Sequence, residues 1–247
     1  MGSHGTLYLI PTPLGATPPE QVLPAATLDV TVRLRNFVVE HAKTARAFLG
    51  QLPLRVPLQS LTLRELNEHT PALRVPSLLA PLMAGEDVGL LSEAGCPAVA
   101  DPGAELVRLA HQAGIPVRPL VGPSAILLAL MGSGLVGQRF AFHGYLPVRA
   151  DARQRALQAL EQRAARDDAA QVFIETPYRN RAMWQAIVSA CAPDTLLCVA
   201  ADLSLPTQTL TMRAVADWRD APPDLARRPA VFLLYRAPAA DKPRPRP

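Results

Sequence analysis

Residues 88–113 read VGLLSEAGCPAVADPGAELVRLAHQA: a short apolar run, a loop of small residues and prolines, then a helical pattern. A run of strand length that feeds a turn and then a helix is the repeating unit of an α/β fold. The same alternation extends outward in both directions. Strands are expected over 6–10, 37–40, 60–63, 88–91 and 116–120, and in a second series over 140–143, 172–175, 197–201, 209–213 and 231–235. The spacing predicts helices over 44–49, 77–84, 103–113, 124–131, 152–166 and 179–190. The two series meet near Gly122 to Gly137. That meeting predicts an amino-terminal α/β domain over 5–121, a carboxyl-terminal one over 122–237, and a disordered Pro-rich tail over 238–247.

Composition agrees with this class. Of 247 residues, 49% are hydrophobic and 19% charged, enough for one large domain or two smaller ones. The 14 glycines and 26 prolines stay below the share that marks low-complexity chains. A net charge of +4 raises the question of nucleic acid, but the tail holds Lys242, Arg244 and Arg246 against Asp241, which leaves the body nearly balanced. The cysteines Cys96, Cys191 and Cys198 form neither a CxxC pair nor an even set, as expected in a reducing cytoplasm. The longest apolar run, 125–131, is too short to span a bilayer, and Pro11 and Pro13 interrupt the first apolar stretch where a signal peptide would need continuity. No membrane association and no metal site are expected.

Familiar cofactor loops are missing. Gly132, Gly134 and Gly137 spell GxGxxG, yet an apolar helix leads in and a strand leads out, the reverse of a dinucleotide loop, so they read as the end of a helix. There is no GxxxxGK[ST], HExxH or GxSxG. Attention therefore falls on the carboxyl ends of the strands, where open α/β sheets bind ligands. Four of these ends are unusual: 11–15 (PTPLG), 92–103 (SEAGCPAVADPG), 121–125 (VGPSA) and 175–179 (ETPYR). Asp101 before Pro102 reads as a helix cap, as does Ser124. Small residues in fixed turns would also let backbone groups approach a ligand, and the helix start at Ser124 offers donors to a carboxylate.

Those stretches, with LYLI ahead of the first and FAFHGYLP over 140–147, resemble the tetrapyrrole methylase superfamily across nearly the whole body. Within it the chain is most similar to the bacterial branch that methylates a cytidine ribose 2′-hydroxyl in small-subunit ribosomal RNA. The resemblance implies a homodimer of chains with two α/β domains of the tetrapyrrole methylase type and S-adenosylmethionine in the cleft between them. Carried over, the cofactor residues would be Leu14, Gly95, Cys96, Val99, Ser124, Ala125, Glu175, Ala201 and Ala230. The chain departs from that branch where Glu40, His41, Ala42 and Lys43 replace Glu-Asp-Thr-Arg, and where the first turn lacks Gly-Asn. Both departures fall on the substrate side.

Methyl transfer to a hydroxyl needs positioning and a base. Glu40, His41, Glu68, His69 and His143 stand near expected strand ends, with Glu40, His41 and His69 taken as the catalytic candidates. Tyr145 and Tyr178 could stack on a base. Lys43 and Arg46 share a helix face and, with Arg139, Arg149, Arg153 and Arg155, would form a basic rim for an RNA substrate. A small tetrapyrrole-like acceptor, or a silent chain that only binds S-adenosylmethionine, remain open alternatives at the level of sequence.

Overall fold

A computed structural model describes residues 4–238, so all of the expected tail except Pro238 lies outside the described residues. The chain divides into two compact units, one ending at Ser124 and the other beginning at Ala125. Both are α/β.

Unit 1 runs β1 (Leu7–Ile10), α1 (Pro19–Val22), α2 (Ala25–Thr31), β2 (Asn36–Val39), α3 (Ala42–Leu49), β3 (Thr62–Glu65), α4 (Ala80–Met83), β4 (Val88–Leu91), α5 (Gly103–Gln112) and β5 (Val117–Pro119). Its sheet is wholly parallel in the order β3-β2-β4-β1-β5. A parallel sheet is covered on both faces, so its inner strands are apolar throughout rather than alternating. VGLL in β4 shows this, with every residue buried. Leu90 joins Leu7, Val38, Leu82 and Leu106 on one face, while Leu91 joins Ile10, Phe37, Phe48 and Leu49 on the other. Gly89 is the small residue that centre requires, since a Cβ there would lie 2.8 Å from both Ile10 and the Phe37 ring.

Three departures from the sequence reading have local causes. The expected helix over 77–84 is a 3-10 segment, Ala72–Leu79, followed by the single turn α4, because Pro76 and Pro81 cannot donate to a regular ladder. Residues Leu58–Ser60 form another 3-10 turn, which delays β3 by two residues. Helices α1 and α2 were not expected; each starts behind a proline, Pro18 or Pro24, in a stretch without a long apolar period.

Unit 2 runs α6 (Ala125–Ser133), β6 (Phe140–Tyr145), α7 (Ala150–Asp167), β7 (Ala170–Glu175), α8 (Asn180–Ala190), β8 (Leu196–Ala201), β9 (Thr209–Ala214), α9 (Val215–Asp220) and β10 (Ala230–Tyr235). The order is β6-β7-β10-β8-β9, parallel at β6·β7 and antiparallel elsewhere. Phe173 and Phe232 stack at 5.6 Å in its core. Helix α6 ends at Ser133, and Gly134 follows at φ +70°, so the GxGxxG string is a helix terminus.

Candidate active site

In unit 1 three loops beyond the carboxyl ends of β1, β4 and β5 are tied to one another. Thr12 and Gly95 exchange backbone hydrogen bonds of 3.0 and 3.1 Å, joining the first two loops by an isolated antiparallel bridge. The Thr12 hydroxyl donates to the Ser92 carbonyl, and the Ser92 hydroxyl to the Gly95 carbonyl. The Cys96 thiol donates to the Pro123 carbonyl at 3.5 Å, which brings in the third loop. Gly95 sits at φ +78°, and a Cβ on it would lie 3.1 Å from Leu14, so its glycine leaves that leucine room. Gly122 is tighter still: a Cβ would fall 2.4 Å from Pro11. Burial pushes the Cys96 thiol up from its ordinary pKa, so it is a neutral donor here rather than a nucleophile.

The loop after β4 stores backbone strain and shows what holds it. Ala98 and Ala100 have φ of +65° and +61°, a region that side chains other than glycine rarely adopt. Both Asp101 oxygens accept the Ala98 N–H, at 2.9 and 2.8 Å, and Oδ1 also accepts the Gly103 N–H at 2.7 Å. Between the two strained residues Val99 stands half exposed.

Beside this loop Glu40, at the end of β2, accepts the Glu93 N–H on Oε1 at 3.2 Å. The Glu93 carboxylate in turn accepts the Thr44 hydroxyl at 2.5 Å. Burial raises the Glu40 pKa, with the Asp101 and Glu93 carboxylates adding to it, against the Glu93 hydrogen bond and the nearby His41. A partly desolvated carboxylate at a strand end, fixed by one backbone donor, has the environment of a general base. Glu93, the partner of Glu40, lines a cavity of about 300 Å³ together with Leu14, Gly15, Thr44, Phe48 and Ser92. A larger cavity, about 560 Å³ with Arg33, Arg35, Glu86 and Asp87, lies at the amino ends of the strands, the wrong end for an α/β ligand site.

Other sequence candidates are spread around this centre. His41 precedes α3 without making a side-chain cap, and Lys43 and Arg46 are exposed on α3, in no ion pair among the described residues. His69 is exposed and lies 3.6 Å from Glu68. His143 pairs with Gln171 in unit 2 at 2.8 Å.

Within unit 2, Glu175, Ala230 and Ala201 form one row across neighbouring strands: Ala230 is opposite Glu175 on β7 and Ala201 on β8. All three are buried. The Glu175 carboxylate accepts the Thr176 N–H at 2.6 Å and the Arg179 Nε–H at 2.9 Å, and pairs with Arg179 Nη2 at 2.6 Å, so it fastens its own turn. Beyond Ala201, Asp202 and Arg228 pair at 2.7 Å, both largely buried. Ala125 opens α6, and Tyr145 is exposed at the end of β6 after an irregularity in its pairing.

Among the described residues, no group of His, Cys, Asp and Glu could hold a metal ion, and no helix is long and apolar enough to cross a membrane. Sequence reasoning missed Thr12, Thr44 and Glu93, because their partners are set by the order of strands in the sheet. The available signal was the place of Thr12 and Glu93 in the strand-end loops; Thr44, inside α3, had none.

The sequence matches no family model. Solved structures share the fold: the methyltransferase CobJ at TM-score 0.63 and 21% identity, over 96% of this chain and 95% of that one, and the cobalt precorrin-4 methyltransferase CbiF at 0.60 and 15%, over 93% and 94%. The sequence relatives point more narrowly. Ribosomal RNA small subunit methyltransferase I of Escherichia coli O157:H7 is 30% identical over 84% of this chain and 68% of its own length. The protein of the same name from Mesorhizobium japonicum is 32% identical over 85% and 69%. That of Micromonospora olivasterospora is 38% identical over 72%, with about half of its own length (53%) matched. With this identity sustained across both units and more than two thirds of such relatives, the chain belongs to the ribosomal RNA small subunit methyltransferase I family.

Proposed function

We propose that this protein methylates a ribose 2′-hydroxyl of small-subunit ribosomal RNA, using S-adenosylmethionine. The observation that carries the reading is the match to methyltransferases of that name over more than two thirds of both chains. The small-molecule alternative rests on likeness of fold alone.

The residues of unit 1 fit such a cofactor. Gly95 gives up its Cβ beside Leu14, and strain holds Val99 out at the same loop, so apolar surface and backbone meet at one strand end. We assign cofactor contact to Leu14, Gly95, Cys96, Val99 and Ser124 in unit 1, and to Ala125, Glu175, Ala201 and Ala230 in unit 2. When bound, S-adenosylmethionine would supply an activated methyl group on a sulfonium, with the thioether as leaving group and the ribose oxygen as acceptor. Glu40 is the base that accepts the hydroxyl proton: its position is fixed by the Glu93 amide, and its raised pKa makes it a stronger base than an exposed carboxylate. His41, beside Glu40, and Lys43 and Arg46 on α3 are assigned to the substrate side, with Tyr145 as a stacking contact; exposed His69 is assigned no proton transfer.

The working form is a homodimer in the cytoplasm, where a ribosomal RNA acceptor is met. Apolar Leu127 and Met131 on α6, 51% and 79% exposed, support a second copy. The test is transfer of labelled methyl from S-adenosylmethionine to small-subunit RNA and, separately, to a tetrapyrrole pool. Label in RNA is expected; label in the tetrapyrrole alone would replace this reading with the small-molecule one.

A further inference from the structure

We propose that an open groove at the free edge of the unit 1 sheet carries the phosphodiester backbone of the RNA, with Arg64 and Arg74 as its phosphate contacts. This rests on RNA being the substrate. The groove has a volume of about 570 Å³ and is lined by Arg64, Asn67, His69, Thr70, Arg74 and Ser77, among others. Its cations come from separate elements, Arg64 from β3 and Arg74 from the 3-10 segment Ala72–Leu79. Neither guanidinium has an ion-pair partner among the described residues.

Of the carboxylates, Glu65 also lines the groove and Glu68 contacts its His69, but neither forms an ion pair with the two arginines. Glu65 accepts the Ala42 N–H at 2.8 Å, at the positive end of α3, and Glu68 lies against His69. Two cations without partners in a concave polar surface are the arrangement that binds phosphate oxygens. Leu73, 96% exposed next to Arg74, adds apolar surface that a free phosphate would not use but a nucleotide base would.

Position ties this groove to the chemistry. The Asn67 side-chain amide donates to the Glu40 carbonyl at 3.2 Å, so the groove wall is bonded to the residue assigned as base. Strand alternation puts Arg64 on the same face as Leu66, which packs with Leu78 and Leu79, whereas α3 covers the opposite face through Phe48 and Leu49. The groove therefore lies on the face of the sheet opposite Lys43 and Arg46, and an RNA strand that passes round the β3 edge meets both sets of cations.

The test compares RNA affinity of the full chain with that of Arg64→Gln combined with Arg74→Gln, using a small-subunit ribosomal RNA fragment at several salt concentrations. The double variant should bind more weakly at each, and its plot of log affinity against log salt should be shallower by about two, one per lost phosphate contact. Its affinity for S-adenosylmethionine should be unchanged, which checks folding. Ser77→Glu, which adds a carboxylate while keeping both arginines, should also weaken RNA binding. Unchanged RNA affinity and slope in both variants, with wild type binding RNA, would overturn the groove assignment alone. Wild type that neither binds nor methylates RNA would overturn the functional reading and the groove with it.

Discussion

Asp101 gathers the Ala98 and Gly103 amides, and an alanine in its place would leave two N–H groups of a strained loop without an acceptor. Hydrogen bonds to a carboxylate contribute about 1.5–3 kcal/mol, so Asp101→Ala should lower unfolding stability by that order and weaken S-adenosylmethionine binding, as read by denaturant titration and calorimetry. The sequence disclosed Asp101 as a cap. In the structure it caps Gly103 across Pro102, which has no N–H to give, and also reaches back to Ala98. That backward reach was not legible, since nothing in the string VADPG announces alanines at positive φ. At Glu40, as at Asp101, burial outweighs the hydrogen bonds that the carboxylate accepts. Burial raises the Glu40 pKa in the folded state, so its contribution to stability is greatest below the unfolded carboxylate value and is lost as pH rises through the folded one. Glu40→Gln removes that cost and can still accept the Glu93 N–H. Its thermal midpoint at neutral pH should equal or exceed that of wild type, while methyl transfer falls about 100-fold or more. Wild-type rate should drop as pH falls through the Glu40 pKa; the same limb surviving in the variant would place the base elsewhere.

At the level of elements, the strands were the legible part, because runs such as VGLL and AVFLLY are apolar through their whole length and bounded by turns. The short helices α1, α2 and α9 were not, since four, seven and six residues behind a proline or a strand carry no helical period. Their formation depends on what they pack against, as where Thr27 of α2 donates to the Val121 carbonyl at 2.8 Å. That contact braces the loop after β5, and the close approach of Gly122 to Pro11 is a second one. Gly122→Ala should force these loops apart, costing about 1–3 kcal/mol and weakening cofactor binding. A variant with wild-type stability and affinity would show that the loops need not touch.

Across the whole molecule, the loops that make the candidate site are some eighty residues apart in sequence, as the Thr12 and Ser92 contact shows. Their meeting follows from the strand order β3-β2-β4-β1-β5, which places β1 beside β4 and β5. Hydrophobic periodicity identifies strands but not their neighbours, so the joining of these loops came from the resemblance and not from the pattern. The Glu175, Ala230 and Ala201 row has the same origin, since β10 enters between β7 and β8 from the far end of the chain. At this scale light scattering at micromolar concentration should give twice the chain mass, and Met131→Glu should shift it toward the monomer; a wild-type monomer would contradict the assigned assembly. The most direct test is nucleoside mass analysis of small-subunit ribosomal RNA after incubation with this protein and S-adenosylmethionine. The expected product is 2′-O-methylcytidine at a single site, abolished in Glu40→Gln. RNA left unmethylated by a protein that binds the cofactor, or methylated on a base instead of a ribose, would contradict the account.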